Sequence, residues 1–221
     1  MGYFPVMLDV TRRPVVVVGS GAEAVAKIAR LREAEATVHV FDQRPDCPLP
    51  EPMRSEVQWH ARWPTRGDVE EAALVILAHE DAAVNQRLRR DMRQAARLIY
   101  VVDEPASSDC IMVSHLRRGP LVVSVSTSGY APGMARRVRE ALEPWFDDRW
   151  PMWLEALRQV RDRARLNPDR TQRRRIIQEA EEHVWEAWDP FAFRREREKP
   201  NADRLPGGGG AGQPGVPHRE G

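Results

Sequence analysis

Residues 15–24 read Val-Val-Val-Val-Gly-Ser-Gly-Ala-Glu-Ala, and no other stretch of the chain restricts the possible folds as strongly. Four consecutive β-branched residues favour a strand buried on both faces, as in a parallel sheet. The G-x-G-x-x-A turn that follows opens a helix. Gly19 permits the tight turn, Gly21 lets an anionic group approach the backbone, and Ala24 allows the helix to pack closely. The N-terminus of such a helix favours an anion, because its first N–H groups have no intrahelical partner. Asp42 closes the next apolar run about 20 residues on, where an acidic side chain can bind ribose hydroxyls. Strand, turn, helix and acid in this order predict a dinucleotide site formed by Gly19, Gly21, Ala22, Glu23, Ala24, Asp42, Gln43 and Arg44. Arg44 leaves both NAD and NADP admissible.

The pattern continues as alternating strands and helices, which is the signature of a parallel α/β sheet. Strands are predicted at Pro14 to Val18, Thr37 to Phe41, Leu74 to Ala78 and Leu98 to Val102. Helices are predicted at Ala22 to Glu33 and Asp81 to Ala96, the second with Val84, Leu88, Met92 and Ala95 on one side and Asp81 as its cap. After Asp103 the rhythm changes. Cys110 to Leu116 and Leu121 to Val125 flank Arg117, Arg118, Gly119 and Pro120, which reads as a β-hairpin with a polar turn. A helix from Pro132 follows, with Met134, Val138 and Leu142 on one face, and Pro144 ends or kinks it. Two amphipathic helices are predicted, Trp150 to Arg165 with Trp153, Leu157, Val160 and Ala164 in register, and Asp169 to Trp188 with Ile177, Ala180, Val184 and Trp188 in register. The predicted division is a Rossmann-like domain over 1–109, a hairpin and helix region over 110–145, a helical subdomain over 146–193 and a disordered Gly/Pro-rich tail over 194–221.

Composition excludes several classes. The 34 basic and 33 acidic side chains nearly cancel, so attraction to nucleic acid or to an anionic membrane is not built into the whole chain. The longest apolar run, Ala72 to Ala78, is far short of the roughly 20 residues of a membrane span. The N-terminus lacks the basic region of a signal peptide. The two cysteines, Cys47 and Cys110, form neither a CxxC nor a Cys/His ligand cluster, so no metal site is expected and a reducing cytoplasm fits best.

With these motifs laid out, the chain from Gly2 to about Trp145 resembles the precorrin-2 dehydrogenase/sirohydrochlorin ferrochelatase family, the free-standing counterparts of the N-terminal module of sirohaem synthase. The matching stretches are Tyr3-Phe4-Pro5-Val6 with Leu8-Asp9, the glycine turn and helix through Lys27, Ala34, Asp81 to Asn85, Val101-Val102-Asp103-Glu104-Pro105, Ile111-Met112, Gly119-Pro120-Leu121, and Val125-Ser126-Thr127 leading to Gly129 and Pro132. The resemblance implies an NAD-binding Rossmann domain, a hairpin-bearing dimerisation region and C-terminal helices. It implies oxidation of precorrin-2 to sirohydrochlorin, with Fe(II) insertion as a further activity of the family. No methyltransferase domain is expected in this chain.

The resemblance makes Asp103 the key catalytic residue. It stands at the end of a predicted strand, on the rim where open α/β sheets bind ligands. Oxidation removes a hydride and a proton, and a carboxylate can accept the proton; metal insertion displaces pyrrole protons that the same carboxylate can take. Without the family context a loop or capping aspartate before Pro105 is the plainer reading. The substrate bears eight carboxylates, which call for cationic and N–H donors. Arg117, Arg118, Arg136 and Arg139, together with the Ser126, Thr127, Ser128 and Gly129 turn, are the candidates. His79 is expected to pack beside the cofactor.

This sequence also departs from the family pattern. Ser20 lies in the nucleotide turn, Glu35 replaces a helix-ending glycine, Ser128 one of a glycine pair, Tyr100 an asparagine, Val113 a proline and Ala131 a serine. A non-glycine residue at positive φ costs roughly 1 kcal/mol or more, which leaves open whether such turns are rebuilt or merely substituted. A homodimer is expected through the hairpin and the helix after Pro132. A non-catalytic NAD-sensing module stands as the alternative to the enzyme.

Overall fold

The computed structural model describes residues 2–188. The predicted tail over 194–221 lies outside the described residues. Two compact units emerge, one made of residues 2–115 with 124–138 and one of residues 116–123 with 139–188.

The first unit is a five-stranded parallel sheet. In chain order it runs β1 (Pro14–Val18), α1 (Ala22–Glu33), β2 (Thr37–Phe41), α2 (Met53–Glu56), β3 (Gln58–His60), α3 (Arg66–Glu70), β4 (Leu74–Leu77), α4 (Ala82–Met92) and β5 (Ile99–Val101). The strand order is β3-β2-β1-β4-β5. The chain builds outward from β1 in one direction and then restarts at β4 on the other side. The crevice between β1 and β4 is therefore the topological switch point, where ligands of such sheets bind.

The valine run explains why β1 is central. Val15 and Val17 pack with Ile28, Val38, Val40 and Ile76 on one face, while Val16 and Val18 pack with Val75, Leu77, Leu88, Ile99 and Val101 on the other. Burial of each such side chain is worth roughly 1.5–3 kcal/mol. One-residue alternation thus serves both helical layers, as a doubly covered strand requires.

The structure corrects several boundaries. The β4 and β5 strands are shorter than the predicted runs by one and two residues, and the fourth helix ends at Met92 rather than Ala96. The edge strand β3 and the short helices α2 and α3 are additions. Three residues carry too little periodicity to announce a strand, and β3 exists because His39, Val40 and Phe41 pair with it. Around it, Phe41 and His60 stack at 4.4 Å, His39 Nδ1 lies 3.3 Å from His60 Nε2, and Arg62 sits over the Phe41 ring. Burial, with the positive charge of His39 and Arg62 adding to it, holds the His60 imidazole below its ordinary pKa. The other edge, β5, is closed by side chains: Ser108 Oγ accepts the Val101 N–H at 2.9 Å and Asp109 Oδ2 the Ile99 N–H at 2.9 Å.

The hairpin consists of β6 (Ser114–Arg118) and β7 (Leu121–Val125). Its first strand begins four residues later than predicted and runs through Arg117 and Arg118, leaving Gly119 and Pro120 as a two-residue turn. Gly119 at φ 57° supplies the left-handed conformation such turns need. The helix α5 (Pro132–Leu142) follows, with proline at its first position.

In the second unit, α6 (Arg149–Ala164) and α7 (Arg170–Ala187) pair. Trp153, Leu157, Val160 and Ala164 and, on α7, Ile177, Ala180 and Val184 are the less exposed positions, as the period predicts. Trp150 meets Phe146, Trp153 and Trp188, and Trp188 Nε1 donates to the Trp145 carbonyl at 2.9 Å.

Candidate active site

The glycine turn sits at the C-terminal end of β1, between the ends of β2 and β4. Gly19 has φ 102°, and a Cβ there would stand 2.6 Å from the Ala78 carbonyl oxygen and 2.9 Å from His79 Cα. It is glycine because the end of β4 crosses against it, as well as for the turn. Gly21 has an ordinary φ of −73° and is the N-cap of α1. The atoms nearest a Cβ on Gly21 would be those of the Glu80 side chain, the first at 2.7 Å. No side chain caps α1, so the N–H groups of Ala22, Glu23 and Ala24 remain for a ligand. A glycine at this turn and an uncapped helix end are the features a pyrophosphate requires, and the residues present fit a nicotinamide dinucleotide. Glu23 is turned along the helix to Lys27, at 3.0 Å.

Asp42 already has partners within the protein. Its side chain is buried, Oδ2 accepts a hydrogen bond from Ser20 Oγ at 2.7 Å, and Oδ1 accepts the Arg44 N–H at 3.1 Å. The carboxylate ties the nucleotide turn to the end of β2, and its remaining lone pairs are what a ribose diol could use. Ser20, a departure from the glycine-rich pattern, is Asp42's partner. Gln43 and Arg44 are exposed beside it.

His79 follows β4 and is half-buried. Its Nδ1 accepts the Asp81 N–H at 3.0 Å, which leaves the proton on Nε2, and its ring meets Trp63 edge-on at 5.2 Å. Asn85 brackets the His79 peptide, accepting its N–H at 3.1 Å and donating to its carbonyl at 2.8 Å. Asn85 is buried and holds the rim of the crevice, a positioning role that reasoning from local sequence missed. Its signals were an amide on the otherwise apolar side of a helix and its place in the matching Asp81 to Asn85 stretch.

Asp103 is exposed at the end of β5 and adopts φ 60°. It accepts no hydrogen bond and makes no ion pair among the described residues. Backbone strain of this kind collects at functional positions, and aspartate tolerates it better than most residues. The loop carrying it is braced from α4: Arg89 donates to the Ser107 carbonyl at 2.7 Å and pairs with Asp109 at 2.8 Å, and Gln86 donates to Glu104. Burial raises the pKa of the neighbouring Tyr100 phenol, and the negative charge of Asp103 adds to the effect.

The Ser126 to Gly129 turn comes to this same loop, since a Cβ on Gly129 would stand 3.6 Å from Pro105 Cγ. Ser126 Oγ accepts the Ser128 N–H and Thr127 Oγ1 the Ala131 N–H, each at 3.1 Å, so both hydroxyl protons are left to donate outward. Ser128 at φ 53° and Glu35 at φ 56° keep the left-handed conformation expected of glycine. Those turns are substituted, not rebuilt. Arg136 is exposed on the first unit's part of α5. Arg139 belongs to the second unit and is held by Glu143 at 2.5 Å and Glu140 at 3.0 Å, and Arg118 donates to the Phe146 carbonyl at 2.9 Å.

Sheet, switch point and glycine cradle together define a dinucleotide-binding α/β protein, and residues 6–114 match a family described as "Putative NAD(P)-binding". The chain is 37% identical over 145 residues to "Siroheme synthase 1" of Cronobacter sakazakii, covering 65% of this chain and 31% of the relative. It is 34% identical over 182 residues to "Siroheme synthase" of Actinobacillus pleuropneumoniae, covering 80% of this chain and 37% of the relative. The chain thus spans about a third of the length of these curated relatives. In fold it is similar to a solved structure titled "SirC, precorrin-2 dehydrogenase", with a TM-score of 0.67 at 20% identity over 89% of this chain and all of that one. The chain thus shares the dinucleotide-binding fold, and over about two thirds of its length or more it is similar to part of those siroheme synthases.

Proposed function

We propose that this protein oxidises precorrin-2 to sirohydrochlorin with NAD, the dehydrogenase step of sirohaem formation. The observation that carries the reading is the uncommitted Asp103 carboxylate on the same sheet rim as the glycine cradle. It lies two strands away from β1, about 10 Å across the sheet.

The cradle formed by Gly19, Gly21 and the first turn of α1 holds the dinucleotide, and Asp42 meets its ribose. The nicotinamide, when bound, supplies the acceptor for the hydride. Asp103 takes the accompanying proton from the macrocycle, so that two electrons and two protons leave precorrin-2 as one hydride and one proton. Ser126 and Thr127 donate their hydroxyl protons to substrate carboxylates, with the Ser128 and Gly129 amides beside them, and Arg136 adds a guanidinium. Fe(II) is proposed as a second substrate, with Asp103 accepting the pyrrole protons that insertion displaces.

Anaerobic turnover with precorrin-2 and NAD, followed by the macrocycle spectrum, tests the reading. Growth of the sirohydrochlorin spectrum with matching NADH is the expected result. Protein that binds NAD yet leaves precorrin-2 unchanged would instead be a dinucleotide-sensing module.

We propose further that the working form is a homodimer in a reducing cytoplasm. Met112, Tyr130, Met134 and Val138 are exposed in the first unit, as are Phe4, Val6 and Met7 near the N-terminus. Exposed apolar side chains in such number mark an interaction surface. Cys47 and Cys110 are free thiols. Sedimentation at micromolar concentration should give twice the chain mass, with Met134→Glu plus Val138→Glu shifting it to monomer; a wild-type monomer would contradict the arrangement.

A further inference from the structure

Glu80 has no part in the mechanism above, yet its carboxylate lies where the dinucleotide must come. The residue follows β4, its Oε1 stands 2.7 Å from the position of a Gly21 Cβ, and its Oε2 lies 4.0 Å from Arg44 Nη2. Arg44 follows β2. Since β1 lies between β2 and β4, the Glu80–Arg44 pair crosses directly over the glycine turn.

We propose that Glu80 is a specificity-determining residue of the dinucleotide site. Its carboxylate occupies the pyrophosphate subsite of the free protein, and it withholds Arg44 from the 2′-phosphate of NADP. The inference rests on the reading of this turn as the dinucleotide site. Charge decides the outcome. The pyrophosphate is anionic, so Glu80 must swing away before it can reach the N–H groups of Ala22 to Ala24, and it opposes the ligand while it remains near. Both members of the pair are largely exposed, at 51% and 71%, so the strap is weak enough to be displaced by a ligand. NADP carries an added phosphate toward the end of β2, where the Asp42 carboxylate is already fixed by Ser20 and the Arg44 N–H. Arg44 is the neighbouring group with the charge to offset it, and Glu80 engages that charge first. The site therefore prefers NAD.

Binding of NAD and NADP to wild type, Glu80→Gln and the double variant Glu80→Gln/Arg44→Ala, measured by calorimetry at low and high salt, tests the proposal. Glu80→Gln should tighten NAD by roughly 3- to 10-fold and NADP by several-fold more, with both gains shrinking as salt screens the exposed charges. In the double variant the extra gain for NADP should disappear while the gain for NAD remains. Unchanged affinities in Glu80→Gln, or equal gains for the two dinucleotides, overturn the proposal while leaving the site reading intact. Wild-type protein that binds neither dinucleotide overturns the site reading and this inference with it.

Discussion

Asp103→Asn should leave NAD affinity and thermal stability at wild-type values while precorrin-2 oxidation falls roughly 100- to 10,000-fold, the usual cost of losing a general base. The substitution suits the question because Asp103 sits at φ 60°. Asparagine shares the tolerance of aspartate for the left-handed region, so the backbone keeps its course and only the basicity is removed. Alanine would be a poorer probe. It would place a Cβ without a compensating polar group at a strained position, and a fall in activity would mix lost chemistry with a loop displaced by roughly 1–2 kcal/mol of strain. Single-turnover kinetics with NAD saturated separates the two effects. Insertion of Fe(II) into sirohydrochlorin should fall in parallel if the same carboxylate accepts the pyrrole protons. Full oxidation activity in Asp103→Asn would place the base elsewhere.

The second large effect divides the two glycines of the turn. Gly21→Val should weaken NAD binding more than about 100-fold with the melting temperature nearly unchanged, because Gly21 has ordinary dihedrals and the atoms nearest an added Cβ belong to the movable Glu80 side chain. Gly19→Ala should instead lose more than about 2 kcal/mol of stability, because φ 102° and the Ala78 carbonyl 2.6 Å away leave no place for a Cβ. At this chain length that corresponds to roughly 4–8 °C in the melting temperature. Calorimetric melting beside NAD titration distinguishes them. Equal loss of stability in both variants, or intact NAD binding in Gly21→Val, would remove the cradle from the site.

What the sequence determined on its own was the local grammar of the fold. The valine run, the glycine turn and the periodicity of α1 and α5–α7 depend on neighbours a few residues away, so β1, α1 and β2 lie at their predicted limits. Asp103 at a strand end was legible for the same reason, since its position follows from where an apolar run stops. Contacts between distant segments were decided by the tertiary structure. Ser20 and Asp42 are 22 residues apart and share a hydrogen bond only because α1 returns the chain to β2 beside β1. Gly129 reaches Pro105 only after the hairpin has folded back, and Glu80 reaches Gly21 only because β4 pairs with β1. β3 is a strand by virtue of the β2 edge it joins. Short-range preference is written in the composition of each segment, whereas a carboxylate's partner depends on which strands the sheet sets side by side.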